Sequence, residues 1–256
     1  MVVPGKGPQL KTEPQALLTL LRVQEADLLS QRLIERRDAL PEAARAKELA
    51  AAAAAARDRA VMRRTEARDL QREVSKFEDE VEKVRARAKR DDELMLSGEV
   101  ASARVLTDLQ HEIASLQRRQ ADLEDAELEL LQQAEDAARV QQEAEQERDA
   151  LAEAADTAIA QRDAALRGLG ADYRQTVAQR TELAADLPAD LLALYEKIRA
   201  DRDGVGAAEF TGNQCGACRL QMIPADLAQL KTAPVDEVLR CEECRRILVR
   251  TALLRP

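Results

Sequence analysis

Aromatic residues are nearly absent from this chain. Its 256 residues include no Trp, two Phe, two Tyr and one His. Together with a charged fraction of 34%, this scarcity argues against a large globular core and favours a helical rod rich in Ala, Glu, Arg and Leu. The sequence also lacks a phosphate-cradling glycine loop and a Ser/His/Asp set, so we expect no enzymatic activity and no small-molecule substrate.

Long apolar runs are missing as well. The Ala-rich tract Leu49 to Ala56 is eight residues long, whereas a membrane-spanning helix needs about 20 apolar residues. Residues Met1 to Leu10 contain no apolar region that would serve as a secretion signal. The sequence therefore predicts a cytoplasmic protein that does not bind membranes.

A heptad repeat runs from Val105 to Leu169. Every seventh residue from Leu109 to Ala165 is Leu or Ala, a repeat typical of a helix that supercoils along another helix. An earlier segment, Ala46 to Ala88, has a matching apolar row. Because Ser97 and Gly98 interrupt the pattern between the two segments, we expect an antiparallel hairpin within one chain. Parallel pairing of two chains is the alternative.

The register of this hairpin is predicted from its charged core positions. One alignment sets Phe77 opposite Ile113 and also sets Arg63 opposite Glu127. Sliding the helices by one heptad instead faces Arg63 with Ala134. Because an unpaired buried charge is costly, we expect the first alignment, with Arg63 and Glu127 as its registry pair and an apex near Met95.

Proline and glycine residues divide the chain. Residues 1–12 contain four of them without any periodicity and are predicted to be a disordered lead. Residues 13–203 are predicted to be the coiled-coil hairpin, with breaks near 38–41, 91–101 and 187–188. Thr12 is expected to cap the first helix. Residues 204–256 hold all four cysteines as two Cys-x-x-Cys pairs. They are predicted to form a separate zinc-ribbon domain, so the fold class is all-α with a small C-terminal ribbon.

The four cysteines form two Cys-x-x-Cys knuckles, Cys215/Cys218 and Cys241/Cys244. Two intervening residues let both sulfurs of a knuckle converge on one metal ion, and two knuckles supply a tetrahedral site. We expect one structural zinc ion, because four thiolates leave no open coordination position. A redox dithiol and a rubredoxin-like iron site are the alternatives.

The residues around the knuckles predict a small mixed fold. Residues Arg219 to Met222 and Arg246 to Thr251 are predicted to be short strands, and Pro224 to Leu230 one helical turn. So few apolar residues would hardly fold unaided, so metal binding is expected to supply folding energy.

Basic residues are concentrated in the same region. The chain has a net charge of −9, but residues 215–256 hold seven Lys and Arg against five Asp and Glu, a difference of +2 that leaves −11 for the remainder. A candidate nucleic-acid-binding face therefore consists of Arg219, Lys231, Arg240, Arg245, Arg246 and Arg250. The alternative is that these residues offset the charge of zinc and four thiolates.

The chain resembles a family of bacterial coiled-coil proteins that end in a C4-type zinc ribbon. The resemblance depends on the long hairpin, on the segment Leu109 to Ile113, and on Cys241-x-x-Cys244 followed by Arg246-Ile247-Leu248. The family often has Gly directly after the last Cys, where this chain has Arg245. The resemblance implies a nucleic-acid-binding or regulatory adaptor protein and not an enzyme.

Two functions are compatible with these patterns. The first is a non-enzymatic adaptor in which a coiled-coil hairpin presents the ribbon and binds protein partners. The second is a regulator that binds RNA or DNA through the basic ribbon. The exposed apolar residues expected at the apex, Leu94 to Leu96, are either a partner contact or the cap of the last hairpin layer.

Overall fold

Four long helices follow one another in a computed structural model that describes residues 10–100 and 102–254. They are α1 (Pro14–Asp38), α2 (Pro41–Leu96), α3 (Ala103–Ala185) and α4 (Ala189–Asp201). The breaks after α1 and α3 fall at Leu40-Pro41 and Leu187-Pro188, because a residue that precedes Pro avoids the helical region and Pro lacks an amide hydrogen. None of the helices in the described ranges is long and apolar enough to cross a membrane.

The C-terminal region is a small mixed structure. It contains β1 (Ala207–Thr211), β2 (Gln214–Cys215), α5 (Pro224–Thr232), β3 (Leu239–Arg240), β4 (Ile247–Val249) and α6 (Thr251–Leu254). The sheet order is β2-β1-β4-β3, with β1 parallel to β4 and the other two pairs antiparallel. The predicted fold class is confirmed. The strand predicted at Arg219 to Met222 is wrong, since only an isolated bridge at Gln221 occurs there.

The chain divides into two compact units. One comprises residues 1–41 and 162–256, and the other comprises residues 42–161. The predicted boundary at residues 203 and 204 therefore falls inside the first unit. A continuous apolar core in this unit joins residues of α1, the end of α3, α4 and the sheet, including Leu20, Leu183, Tyr195 and Ile247. A second, smaller cluster lies within the ribbon around the cysteines and includes Leu230 and Leu248. The ribbon therefore has a small core of its own and also shares the larger core with the helices.

The second unit contains the hairpin of α2 and the first part of α3. Three ion pairs join the two helices: Arg59–Glu147, Arg85–Glu124 and Arg87–Glu112. These pairs show that the hairpin closes within one chain, which excludes the parallel-dimer alternative for this structure. Helix α2 runs to Leu96, slightly past the predicted apex at Met95, and Gly98 adopts a left-handed φ of 74° in the turn.

The predicted register is wrong. In that register Arg59 would lie opposite Leu131 and Arg85 opposite Val105, whereas the observed partners are Glu147 and Glu124. The ion pairs fit an alignment displaced by about two heptads, in which buried Val81 lies opposite buried Leu123.

The predicted registry pair is also not formed. Arg63 pairs with Glu66 on its own helix at 2.8 Å, and 47% of the Arg63 side chain is exposed. The desolvation cost that was expected to select this pair applies only to buried charges. It therefore does not act on Arg63, and it cannot fix the register.

The start of the described chain is ordered, contrary to the disordered lead predicted for residues 1–12. Residues Leu10 to Thr12 lie against Asp236 to Val238: the Val238 N–H donates to the Leu10 carbonyl, and the Thr12 N–H donates to the Asp236 carbonyl. Residues 1–9 of the predicted lead lie outside the described residues. Thr12 does not cap α1, since Glu13 occupies the N-cap position.

Candidate metal centre

The two cysteine knuckles have the same backbone hydrogen bonds. In the first, the Arg219 N–H donates to the Cys215 carbonyl and the Cys215 N–H donates to the Leu220 carbonyl. In the second, the Arg245 N–H donates to the Cys241 carbonyl and the Cys241 N–H donates to the Arg246 carbonyl. Each knuckle is therefore a tight turn that directs its two sulfurs to one side.

The residue after each knuckle has left-handed backbone geometry. Arg219 has a φ of 61° and Arg245 a φ of 63°, a conformation that non-glycine residues adopt at a cost. Arg245 is the position at which the resembling family often has Gly. The tight turn forms with Arg at this position, because the Arg245 N–H donates to the Cys241 carbonyl at 2.8 Å.

The four sulfurs converge on one point. The Sγ atoms of Cys215 and Cys244 are 3.8 Å apart, those of Cys218 and Cys241 are 3.9 Å apart, and all four lie within 4.8 Å of one another. A tetrahedral zinc ion with bonds of ~2.3 Å requires neighbouring sulfurs ~3.8 Å apart. The donor set and its spacing thus fit zinc.

The thiols of the cluster differ in pKa. Burial raises the pKa of Cys215, and it raises the pKa of Cys241 to about 12. Burial would also raise the pKa of Cys244, but hydrogen bonds from the Arg246 backbone and from neighbouring groups lower it to about 7. A bound cation would replace these protons, because only thiolates ligate zinc.

Two of the six predicted nucleic-acid-binding residues each donate to more than one backbone carbonyl. Arg250 is only 5% exposed and donates to the carbonyls of Leu230, Ala233 and Pro234. Arg246 donates to the carbonyls of Val205 and Arg202. Including Arg250 in a phosphate-binding face is therefore wrong, since a buried guanidinium that bonds three carbonyls holds the ribbon together and does not reach a ligand.

The remaining four basic residues are divided between two arrangements. Arg240 donates to the Arg245 carbonyl, and Arg245 pairs with Glu242 at 3.0 Å. Arg219 and Lys231 are exposed, and within the described part of the chain neither makes an ion pair or a side-chain hydrogen bond. The structure therefore does not bring the six residues together as one positive face.

A concave surface of about 560 Å³ lies beside the cysteine cluster. Its apolar part includes Leu194, Met222 and Val238. Its charged lining comprises Asp226, Glu237, Glu242 and Glu243 against Arg240 and Arg245. Because carboxylates outnumber cations, this surface repels phosphate groups more than it attracts them.

Sequence reasoning missed a polar cluster that fixes α4. The Tyr195 hydroxyl donates to Asp27 Oδ2 at 2.7 Å, and Arg180 contacts both Asp27 and Glu196. Tyr195 is fully buried, and burial together with Asp27 raises its pKa. The only sequence signal was the presence of a Tyr in an otherwise aromatic-poor helix.

The fold and the cysteine cluster define a coiled-coil hairpin protein with a C4-type zinc ribbon. The model of the CT398-like coiled coil hairpin domain matches residues 23–203, and that of the C4-type zinc ribbon domain matches residues 214–248. The chain therefore belongs to the CT398-like coiled-coil hairpin family.

Relatives support this assignment along most of the chain. An uncharacterized protein of Mycobacterium tuberculosis is 43% identical over 234 residues, which are 91% of this chain and 94% of that protein. A solved structure from Mycobacterium smegmatis has 35% identity and a TM-score of 0.77, covering 94% of this chain and 100% of that one. The structure of CT398 from Chlamydia trachomatis shows the shared fold, with a TM-score of 0.59 at 16% identity over 92% of this chain and 98% of that one.

Proposed function

We propose that this protein is a non-enzymatic, cytoplasmic adaptor that binds one structural zinc ion through Cys215, Cys218, Cys241 and Cys244 and uses its helical surfaces to bind protein partners. The sulfur geometry supports zinc over a disulfide framework, since all four thiols meet at one point. Four thiolates complete the coordination of zinc, so the ion stabilises the fold and is closed to substrate. A thiolate cluster of this kind suits a reducing compartment.

The observation that carries the adaptor proposal is that arginine side chains of the ribbon bond to groups of the protein itself. Arg250 and Arg246 bond backbone carbonyls, and Arg245 pairs with Glu242. Guanidinium groups engaged in this way do not release counterions from a nucleic acid backbone, which is the main source of its affinity. Protein binding is therefore favoured over nucleic-acid binding.

Arg245 is exposed but pairs with Glu242. The nucleic-acid alternative now depends on Arg219 and Lys231, the exposed cations of the predicted face that make no ion pair among the described residues. A matched pair of double variants tests it. R219E/K231E reverses these two charges, and R64E/K83E reverses two exposed charges on α2. Binding of labelled single-stranded RNA and duplex DNA is measured by fluorescence anisotropy at low and high salt.

For the adaptor, we expect both double variants to behave alike in anisotropy, and partners captured from native lysate to remain bound after nuclease treatment. Salt-dependent RNA or DNA binding that R219E/K231E alone abolishes, combined with nuclease-sensitive capture, would establish the alternative instead. The two measurements are independent, because one uses purified nucleic acid and the other uses endogenous partners.

A further inference from the structure

Helix α4 occupies a groove between α1 and the last part of α3. Leu191 and Tyr195 are fully buried there. A carboxylate of α4 adds a polar contact, since Glu196 pairs with Arg180 of α3. Within its own fold the protein therefore shows what this groove accepts: a helix with an apolar face flanked by a carboxylate that meets an arginine.

The same groove continues beyond the end of α4 at Asp201. Residues seven apart lie on the same face of a helix. Tyr173 precedes Arg180 by seven residues, and Ile34 follows Asp27 by seven, so both lie on the faces that contact α4 further along. This uncovered part is named the open groove, and its lining includes Leu33, Ile34, Arg37, Leu166, Gly170 and Tyr173.

The open groove is apolar and exposed. Leu166 is 37% exposed and Tyr173 is 38% exposed. A cavity of about 190 Å³ lies in its floor, the size of a single large apolar side chain. These exposed apolar residues lie together around the cavity, which makes the open groove a candidate interaction surface.

Gly170 keeps the cavity open. A Cβ atom added at this residue would meet only Arg174 Nη1, at 3.5 Å. A larger side chain therefore fits here without a backbone clash and, because Gly170 is part of the cavity wall, we expect it to reduce the space in the cavity. Glycine within a helix costs about 1 kcal/mol relative to alanine, and here it leaves room at the floor of a groove.

The rim of the open groove is basic. Arg37 is the one charged residue that lines the cavity among the described residues, and Arg174 lies over Gly170. Arg37 also pairs with Asp38 of its own helix at 2.7 Å, but this pair is exposed and costs little to exchange for a partner carboxylate. Arg180, six residues after Arg174 along α3, pairs with Glu196 of α4. In a chain with a net charge of −9, this local positive rim selects for carboxylates.

We propose that the open groove binds an amphipathic helix of a partner protein, which places one bulky apolar side chain in the cavity beside Gly170 and carboxylates against Arg37 and Arg174. This is helix-in-groove recognition, in which spaced apolar residues anchor the helix and charges set its orientation. The inference rests on the proposed adaptor function and identifies the surface that carries it.

The probe is a stapled synthetic helix with the sequence of Ala189–Asp201, which carries Trp in place of Tyr195. The protein contains no Trp, so the fluorescence of the peptide reports its transfer into an apolar site. A second peptide carries Glu196→Gln, which removes the carboxylate and keeps the shape. Both are titrated into the full-length, zinc-loaded protein.

Two glycine variants provide a matched comparison. G170L fills the cavity, whereas G168L adds the same side chain to the same helix at a position where a Cβ meets nothing within 4 Å. We expect G170L to weaken binding of the probe by at least about tenfold, with G168L within about twofold of wild type. R37E/R174E is expected to weaken the Glu196 peptide by about tenfold and the Glu196→Gln peptide much less.

Three results would overturn the proposal. The first is an absence of any fluorescence change with the wild-type protein. The second is equal binding by wild type and G170L. The third is a wild-type dimer in light scattering that G170L converts to monomer, because a second copy of this chain would then occupy the groove.

Lysate capture separates this proposal from the adaptor function. Nuclease-resistant capture that G170L leaves unchanged would reject the open groove and keep the adaptor function. Nuclease-sensitive capture would reject the adaptor function itself.

Discussion

The buried side chain of Gln24 in α1 holds the backbone of Gly206 at the entry to β1. Gln24 Oε1 accepts the N–H of Gly206 at 2.6 Å and that of Ala207 at 3.1 Å, while Gln24 Nε2 donates to the Gly204 carbonyl at 3.0 Å. One amide thus satisfies three backbone groups where the chain passes from α4 into the sheet. Helix α1 and the ribbon are consequently joined by hydrogen bonds as well as by apolar contacts.

Replacing Gln24 by Leu is expected to lower the free energy of unfolding of the first unit by about 1–3 kcal/mol, because it leaves buried backbone groups without partners. Gln31→Leu is the control, since Gln31 is exposed and bonds only to Glu35 on its own helix. Urea titration measures the difference in the free energy of unfolding, and hydrogen exchange of residues 204–211 measures the local loss of protection. Equal stability of the two variants would show that water replaces the Gln24 amide.

Gly206 also has a steric role. A Cβ atom at this residue would lie 2.6 Å from a ring carbon of Tyr195 and 2.8 Å from the Tyr195 carbonyl oxygen. Because the backbone oxygen cannot move away, G206A is expected to destabilise the protein by about 2–3 kcal/mol. G168A is the matched control and is expected to stabilise α3 by about 0.5–1 kcal/mol. Thermal unfolding of both variants tests the opposite signs.

Heptad periodicity was sufficient to predict the helices and the hairpin, and the Cys-x-x-Cys spacing was sufficient to predict the cysteine cluster, because both patterns involve residues that repeat or lie close together in the sequence. The register was not predictable in the same way. A heptad row looks the same after each slide of seven residues, and an Ala-rich seam makes neighbouring alignments similar in energy. Ion pairs such as Arg59–Glu147 at the flanks distinguish them.

The shared core was hidden for a different reason. It joins residues distant in the chain, including Leu20, Leu183 and Ile247, and no local pattern connects those segments. The role of Arg250 was not predictable either, since the sequence does not distinguish a buried arginine that bonds carbonyls from an exposed arginine that binds phosphate. Strand β1 was missed because its Ala-Ala-Glu-Phe-Thr sequence has little β preference.

Tyr195 is expected to make stability fall at alkaline pH. Burial, and after it the hydrogen bond to Asp27, raises its pKa above the ordinary value of 10.0. A raised folded-state pKa contributes stability that is complete below pH 10 and is lost as the pH rises further, because the unfolded tyrosine ionises first. Y195F should remove this alkaline decline and weaken the protein near neutrality by about 1 kcal/mol.

Tyr173 is the control for this measurement, since it is the other tyrosine of the chain and is 38% exposed. Y173F is expected to leave the pH dependence unchanged. Urea midpoints between pH 8 and pH 11, a range of about three units chosen around the tyrosine pKa, give the comparison. An alkaline decline that persists in Y195F would assign it to other groups.

Arg245→Gly is expected to stabilise the zinc-loaded protein by about 1 kcal/mol, because glycine adopts a left-handed backbone without the cost that a Cβ atom imposes. The exposed Arg245–Glu242 ion pair that is lost contributes little. R245A separates the two effects, since it removes the ion pair but keeps the Cβ atom. A melting temperature of R245G no higher than that of R245A would show that the turn is not strained.

Removing zinc is expected to unfold the first unit as a whole and to leave the hairpin of residues 42–161 folded. Four thiols brought within 4.8 Å of one another lose their common ligand, and metal binding in small zinc domains is folding energy. The loss should spread to α1 and α4, because Leu20 and Tyr195 share a core with Ile247 of the sheet.

Metal analysis should give about one zinc per chain before chelation, since one tetrahedral ion uses four thiolates. After chelation, hydrogen exchange should accelerate in residues 14–38 and 189–250 but not in residues 60–90. Protected α1 and α4 in the metal-free protein would show that their packing is independent of the ribbon.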